Sequence, residues 1–233
     1  MTSNLLAIDT ATEKFSVAIG VIKDDGSCEG TWLIEADAGL RHSELIMDSI
    51  DALFKLAAMK PEDLSGIICM GGPGSFTGLR IGFSVAKGIA LSLGIPFAVI
   101  PTLDCMVRPL RSWPGIAVPV LDAKKQAFFC ALYRNGRRLS ADMDAGPTEI
   151  ARTITGALAS DQENTLLFGP GSQMLYDAIT LPGKKLDREL PWGNAKTLLE
   201  IAMETGALTQ GNIDYSSGPE YIRKSDAELT KNK

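Results

Sequence analysis

The chain repeats itself, and the repeat limits what it can fold into. Ile8-Asp9 followed by Phe15-Ser16-Val17-Ala18-Ile19 recurs, at constant spacing, as Leu121-Asp122 followed by Phe128-Phe129-Cys130-Ala131-Leu132. Gly72-Pro73-Gly74-Ser75 recurs as Gly169-Pro170-Gly171-Ser172, each time after a short apolar run. Motifs that return in the same order mark a duplicated unit. Apolar patterning predicts strands over residues 5–9, 15–22 and 31–34, a helix over 40–58, and a strand at 67–70 before the glycine turn. The second half begins again with strands over 116–122, 127–133 and 137–143, a helix over 148–158 and a strand over 165–168.

Three antiparallel strands, helix, strand, helix, given twice, is the plan of the actin, sugar-kinase and Hsp70 group. The expected fold is therefore α/β, with two βββαβα-type domains over residues 1–112 and 113–233. In that group ATP lies between the domains, held by turns after the first strand of each half. Those turns carry Asp followed by glycines, because the backbone must approach the phosphates closely. Here they read Asp9-Thr10-Ala11-Thr12-Glu13-Lys14 and Asp122-Ala123-Lys124-Lys125-Gln126, without a glycine in either. Glu13 repels phosphate and Cβ atoms crowd both turns, so an efficient ATPase is not expected.

The run Gly71-Gly72-Pro73-Gly74-Ser75-Phe76-Thr77-Gly78-Leu79-Arg80-Ile81-Gly82 follows a strand and opens a helix. Glycines let the backbone bend, and the first N–H groups of the helix are available to an anion or a partner. The run matches no nucleotide motif. Gly78 is followed by Leu79 rather than Lys, Gly72, Gly74 and Gly78 are one residue too widely spaced for a dinucleotide fingerprint, and Pro73 and Thr77 replace the glycines of a hydrolase elbow. A plain helix start capped by Ser75 or Thr77 is the simpler alternative. Arg80 in the first turn opposes the helix dipole by roughly 0.3–1 kcal/mol. An anion on a partner would compensate it, which makes Gly74, Ser75, Thr77 and Arg80 a candidate anion or nucleotide site. A surface arginine of little net cost is the rival reading.

Composition narrows the function classes. A net charge of −5 argues against a dedicated nucleic-acid binder. Small basic clusters at Lys124-Lys125, Arg134 to Arg138, Lys184-Lys185 and Arg223-Lys224 read as solvated loop and strand ends. The N-terminus has no basic region and only a brief apolar run, so no signal peptide is expected. The most membrane-like window, residues 81–100, is interrupted by Lys87, Pro96 and three glycines. Cys28, Cys69, Cys105 and Cys130 lack C-x-x-C spacing and read as buried free thiols of a cytoplasmic protein. The single histidine, His42, cannot form a paired metal motif, and reads as a capping or interface side chain.

The helices carry more apolar surface than one sheet covers. Over residues 43–59, Glu44, Asp48, Asp51 and Lys55 form one stripe, while Leu45, Ile46, Met47, Ile50, Leu53, Phe54 and Leu56 fill the rest. In the next helix Arg80, Ser84 and Lys87 mark a stripe among Leu79, Ile81, Phe83, Val85, Ile89, Ala90 and Leu93. An ordinary surface helix has an apolar arc only somewhat wider than about 100°. Either these helices are buried within one chain, or they form a patch that a partner covers as a four-helix bundle. The second reading is favoured, with about 800 Å² buried per side as the usual scale.

Four segments together resemble the TsaB (YeaZ) family of bacterial tRNA-modification proteins. They are Gly72 to Gly82, Leu6-Ala7-Ile8-Asp9-Thr10-Ala11, Arg41-His42-Ser43-Glu44, and Pro219-Glu220-Tyr221-Ile222-Arg223. The resemblance implies a duplicated actin-like fold with no chemistry, cofactor or metal of its own. It implies a role in threonylcarbamoylation of the tRNA adenosine 3′ of the anticodon. The partners implied are the catalytic paralogue TsaD and the ATPase TsaE, with a homodimer in their absence. tRNA is then met only through the complex, ATP or ADP only at the boundary with TsaD, and no membrane is involved.

On this reading the partner surface comprises His42, Leu45, Ile46, Ser49, Ile50, Leu53, Phe76, Phe83 and Val85, with Ser75 and Arg80 at its polar edge. The polar tail from Lys224 to Lys233 and the turn from Asp24 to Gly30 carry no motif. The rivals are an actin-like kinase or metallopeptidase-like enzyme, and a direct tRNA binder that uses the basic clusters.

Overall fold

The computed structural model describes residues 2–39, 41–160, 162–188, 194–208, 218, 219 and 222. The motif at Pro219 to Arg223 and the tail after it lie largely outside them, as does the expected helix start at Leu40.

The first sheet is built from β1 (Thr2–Asp9), β2 (Lys14–Lys23), β3 (Cys28–Asp37), β4 (Gly66–Met70) and β5 (Phe97–Ile100), in the order β3-β2-β1-β4-β5. Strands β3, β2 and β1 are antiparallel, whereas β1, β4 and β5 are parallel. Burial follows position. The central strand β4 is buried along its whole length, while the edge strand β3 alternates, turning Trp32, Ile34 and Ala36 inward.

Helix α1 (His42–Leu56) and helix α2 (Phe76–Leu93) cover one face of this sheet. Their Ile46, Ile50, Leu53 and Phe83 meet Leu6, Ile8, Phe15, Val17 and Ile19 in one core. Ser75 caps α2 by accepting from the Gly78 N–H at 3.2 Å, and Gly94 ends the helix at φ 66°. By length and composition α2 could cross a membrane, but here Leu79, Phe83, Ala86 and Ala90 bury within the fold.

After β5 comes α3 (Thr102–Val107), where the first compact unit gives way to the second beyond Cys105. The second sheet comprises β6 (Ile116–Asp122), β7 (Phe128–Cys130), β8 (Tyr133–Arg134), β9 (Arg137–Arg138), β10 (Met143–Ala145), β11 (Thr165–Phe168) and β12 (Lys184–Leu186). Its main path, β10-β7-β6-β11-β12, has the same order and strand directions as the first sheet. Helices α4 (Pro147–Ala157) and α5 (Ser172–Ala178) fill its core with Ile150, Ile154 and Leu175. The duplicated actin-like plan is thus present in both sheets.

Two local features depart from the sequence reading. Residues 137–143 were expected as the third strand, but β10 takes that place. The Asn135-Gly136 turn, with φ 51° and 70°, instead folds Arg137–Arg138 back on Tyr133–Arg134 as a small hairpin. The chain also returns. Helix α6 (Ala195–Thr205) belongs to the first unit, where Ala195, Leu198, Leu199 and Ala202 cover the other sheet face against Leu5, Ala7, Ala18, Ile22 and Ile68. A Cβ on Gly20 would lie 2.9 Å from Leu199 Cδ1, so that glycine permits the close approach. The units therefore divide near Cys105 and Leu190 rather than at a single point after residue 112.

Candidate functional site

The turn from Asp9 to Thr12, the first of the two expected phosphate turns, is gripped by three helices of its own unit. From the glycine run, Ser75 N–H donates to the Ala11 carbonyl at 2.7 Å, and Thr10 Oγ1 donates to the Gly78 carbonyl at 2.8 Å. The glycines explain the fit. A Cβ on Gly74 would lie 2.5 Å from the Ala11 oxygen, on Gly78 2.1 Å from the Thr10 oxygen, and on Gly82 2.3 Å from Thr10 Oγ1. The space that would cradle a phosphate is filled by the chain's own backbone.

Helix α1 holds the turn through His42, whose Nε2 donates to the Thr12 carbonyl at 2.8 Å. Burial lowers the His42 pKa, which keeps the ring neutral, and it stands edge-on to Phe15 with centroids 6.2 Å apart. Helix α6 holds the turn from the other side. Asp9 Oδ2 accepts from the backbone and side-chain N–H groups of Asn194, Oδ1 accepts from Ala11 N–H at 3.0 Å, and Ser16 Oγ accepts from Ala195 N–H at 3.0 Å. Asp9 acts as a remote cap for α6.

Burial raises the Asp9 pKa to about 6, with the Ala11 and Asn194 donors pulling against it. With both oxygens engaged inside the protein, this carboxylate has no open side from which to position a substrate. Among the described residues no three His, Cys, Asp or Glu side chains converge in a metal-ligating group.

The residues expected to hold an anion are split. Gly74 and Ser75 use their surroundings to seat the turn, and Thr77 and Arg80 are exposed on α2. Arg80 is not the uncompensated cation that sequence suggested, since its guanidinium lies 3.8 Å from the Phe76 ring centroid.

The partner surface needs a larger correction. His42, Ile46, Ile50, Leu53 and Phe83 are 0–4% exposed, because these faces of α1 and α2 are the ones turned to the sheet. Leu45, Ser49, Phe76 and Val85 are half-buried at the flanks. The exposed large apolar side chains of the two helices are instead Met47 at 48% and Leu56 at 64%, on opposite flanks of α1, and Leu91 at 57% on α2. Gly88, one turn before Leu91 on α2, is exposed with nothing within 4 Å of a built Cβ. An exposed glycine within a helix costs about 1 kcal/mol relative to alanine, and nothing among the described residues requires it. The helical wheel contained Met47 and Leu56, but it could not tell which apolar residues face the sheet. Asn194 and Gly88 carried no sequence signal of their own.

A family model described as TsaD, tRNA N6-adenosine threonylcarbamoyltransferase, matches residues 36–172. The tRNA threonylcarbamoyladenosine biosynthesis protein TsaB of Bacillus subtilis is 33% identical over 132 residues, covering 56% of this chain and 55% of that protein. The TsaB of Escherichia coli is also 33% identical over 132 residues, covering 56% and 54% respectively. The chain thus spans about half the length of these curated relatives. YeaZ from Pseudomonas aeruginosa superposes with a TM-score of 0.74 at 22% identity, over 94% of this chain and 100% of that one. That likeness establishes a shared fold.

Proposed function

Because this chain belongs to the TsaB (YeaZ) family, and its residues 36–172 match the family model of the tRNA N6-adenosine threonylcarbamoyltransferase TsaD, we propose that it serves threonylcarbamoyladenosine biosynthesis as a noncatalytic subunit. It docks on TsaD through the outer face of α1 and α2, acts together with the ATPase TsaE, and pairs with itself through the same face when TsaD is absent. It works in the cytoplasm and has no cofactor of its own. An ATP or ADP at the boundary with TsaD would meet this chain through exposed Thr77 and Arg80.

The observation that carries the noncatalytic reading is the state of Asp9. Asp9, the aspartate that opens the expected first phosphate turn, is fully buried and anchors α6. The glycines that could have made a phosphate cradle seat Thr10 and Ala11 instead. The docking reading is supported by Leu91, exposed one turn from the open backbone at Gly88 on α2, and by exposed Met47 on α1. Purified chain, incubated with ATP and with tRNA plus the threonylcarbamoyl donor, should turn over neither yet co-purify with TsaD. Turnover by the isolated chain would overturn the reading.

A further inference from the structure

The chain's acidity is unevenly spread. Residues 1–105 carry seven Lys and Arg against thirteen Asp and Glu, whereas residues 106–190 carry eleven against nine. The fold then gathers several of the latter cations at one end of the second sheet. Register places Arg134 opposite Ile116 at the start of β6, and Thr165 links Ile116 to Lys184 at the start of β12. The Gly136 turn rests on Arg111, with a built Cβ 2.9 Å from Arg111 Cβ. Lys185 Nζ stands 5.6 Å from the Trp113 ring centroid.

Some of these cations have structural work. Arg134 is paired with Glu163 and donates to the Ala157 carbonyl, and Lys184 Nζ donates to the carbonyls of Tyr176 and Ile179. Arg111, Arg137 and Lys185 are exposed at this end of the sheet, Arg137 on β9 at one edge and Lys185 on β12 at the other, and Trp113 is half-buried. Glu163, which also lies at this end, is already held by both Nε and Nη2 of Arg134, so it does little to offset them.

We propose that this end of the second unit, presenting Arg111, Arg137 and Lys185 beside Trp113, binds the phosphate backbone of the tRNA being modified. The chemistry is that of nonspecific RNA contact. Arginine and lysine replace condensed counterions along phosphates, whatever the base sequence. The proposal rests on the tRNA-modification reading but uses a different surface from the docking face on α1 and α2.

Its test compares full-length Arg137→Glu/Lys185→Glu with Lys60→Glu/Lys196→Glu, an equal charge change at exposed positions of the first unit. Both pairs of side chains are exposed, and melting curves would verify that each variant folds. tRNA affinity is measured across a salt series. The first variant should bind about tenfold more weakly, with a log–log salt slope shallower by roughly 1–2, while the second stays near wild type.

Equal weakening in both variants, or no weakening in the first, would overturn the proposal. So would loss of TsaD binding by the first variant, which would make this surface a protein interface. If tRNA affinity is unchanged while TsaD binding and modification persist, only this inference fails. If the docking face proves irrelevant but the Arg137/Lys185 effect remains, only the docking reading fails.

Discussion

Asp9 Oδ2 accepts two hydrogen bonds from a single residue, Asn194, at 3.1 Å from its backbone N–H and 3.0 Å from its side-chain Nδ2. The two residues are 185 positions apart, so the acid of the first strand fixes where the returning helix α6 begins. The aspartate expected to open a phosphate turn is an internal anchor.

Asp9→Ala should therefore destabilise the chain by about 3 kcal/mol, since it leaves three buried N–H donors without an acceptor. The penalty also depends on pH. The Asp9 pKa is raised from 3.8 to about 6, so its contribution to stability is fully present below pH 3.8 and is lost as pH rises through about 6. Denaturant unfolding should show a larger penalty at pH 4 than at pH 7, by up to about 3 kcal/mol. A penalty independent of pH would contradict this assignment.

The glycines of α2 should separate cleanly. Gly78→Ala and Gly82→Ala place a methyl group 2.1 Å and 2.3 Å from Thr10, and each should cost at least about 2 kcal/mol. Gly88→Ala meets nothing within 4 Å and should stabilise the isolated chain by about 0.5–1 kcal/mol while weakening its association with TsaD. Thermal and denaturant unfolding check the first three effects, and binding titrations check the last.

Core and outer faces of the two helices should likewise respond differently. Ile50→Asp or Phe83→Asp puts a charge among residues 1–4% exposed and should cost more than about 4 kcal/mol, enough to unfold a typical domain. Met47→Asp and Leu91→Asp, at positions 48% and 57% exposed, should change unfolding free energy by less than about 1 kcal/mol. Circular dichroism with denaturant titration distinguishes them.

Thiol chemistry gives an independent check on the layers. Cys28 is exposed, against the expectation of four buried thiols, whereas Cys69, Cys105 and Cys130 are buried, and burial pushes Cys130 up to about 12. A thiol-reactive reagent at neutral pH should label Cys28 promptly and the other three only on unfolding. Prompt labelling of Cys69 would mean that the central strand is not enclosed.

Much of the fold was legible because its signals are local. Strands β1 to β4, α1, and the strand-turn-helix around Gly71 to Gly82 follow from periodicity and glycine placement, whereas β5 (Phe97–Ile100) is not among the expected strands. The Asn135-Gly136 pair is itself a local hairpin signal, but only two residues on each side pair across it. Helix α6 carried a usable pattern in Ala195, Leu198, Leu199 and Ala202, at helical spacing, yet its place on the first sheet depends on contacts such as Gly20 with Leu199. What the glycine run contacts is equally nonlocal. Thr10 and Ala11 fill it from more than sixty residues away, and no spacing rule connects them. The wide apolar arcs were real, but a wheel sums the sheet-facing and outward residues without separating them.

The most direct test is reconstituted threonylcarbamoylation of tRNA by TsaD and TsaE with wild-type chain, with Met47→Asp/Leu91→Asp chain, and with none. Docking through the outer face predicts modification with wild type and background levels with the folded double variant, matching omission of the chain. Wild-type activity from that variant, while it remains folded, would contradict the account.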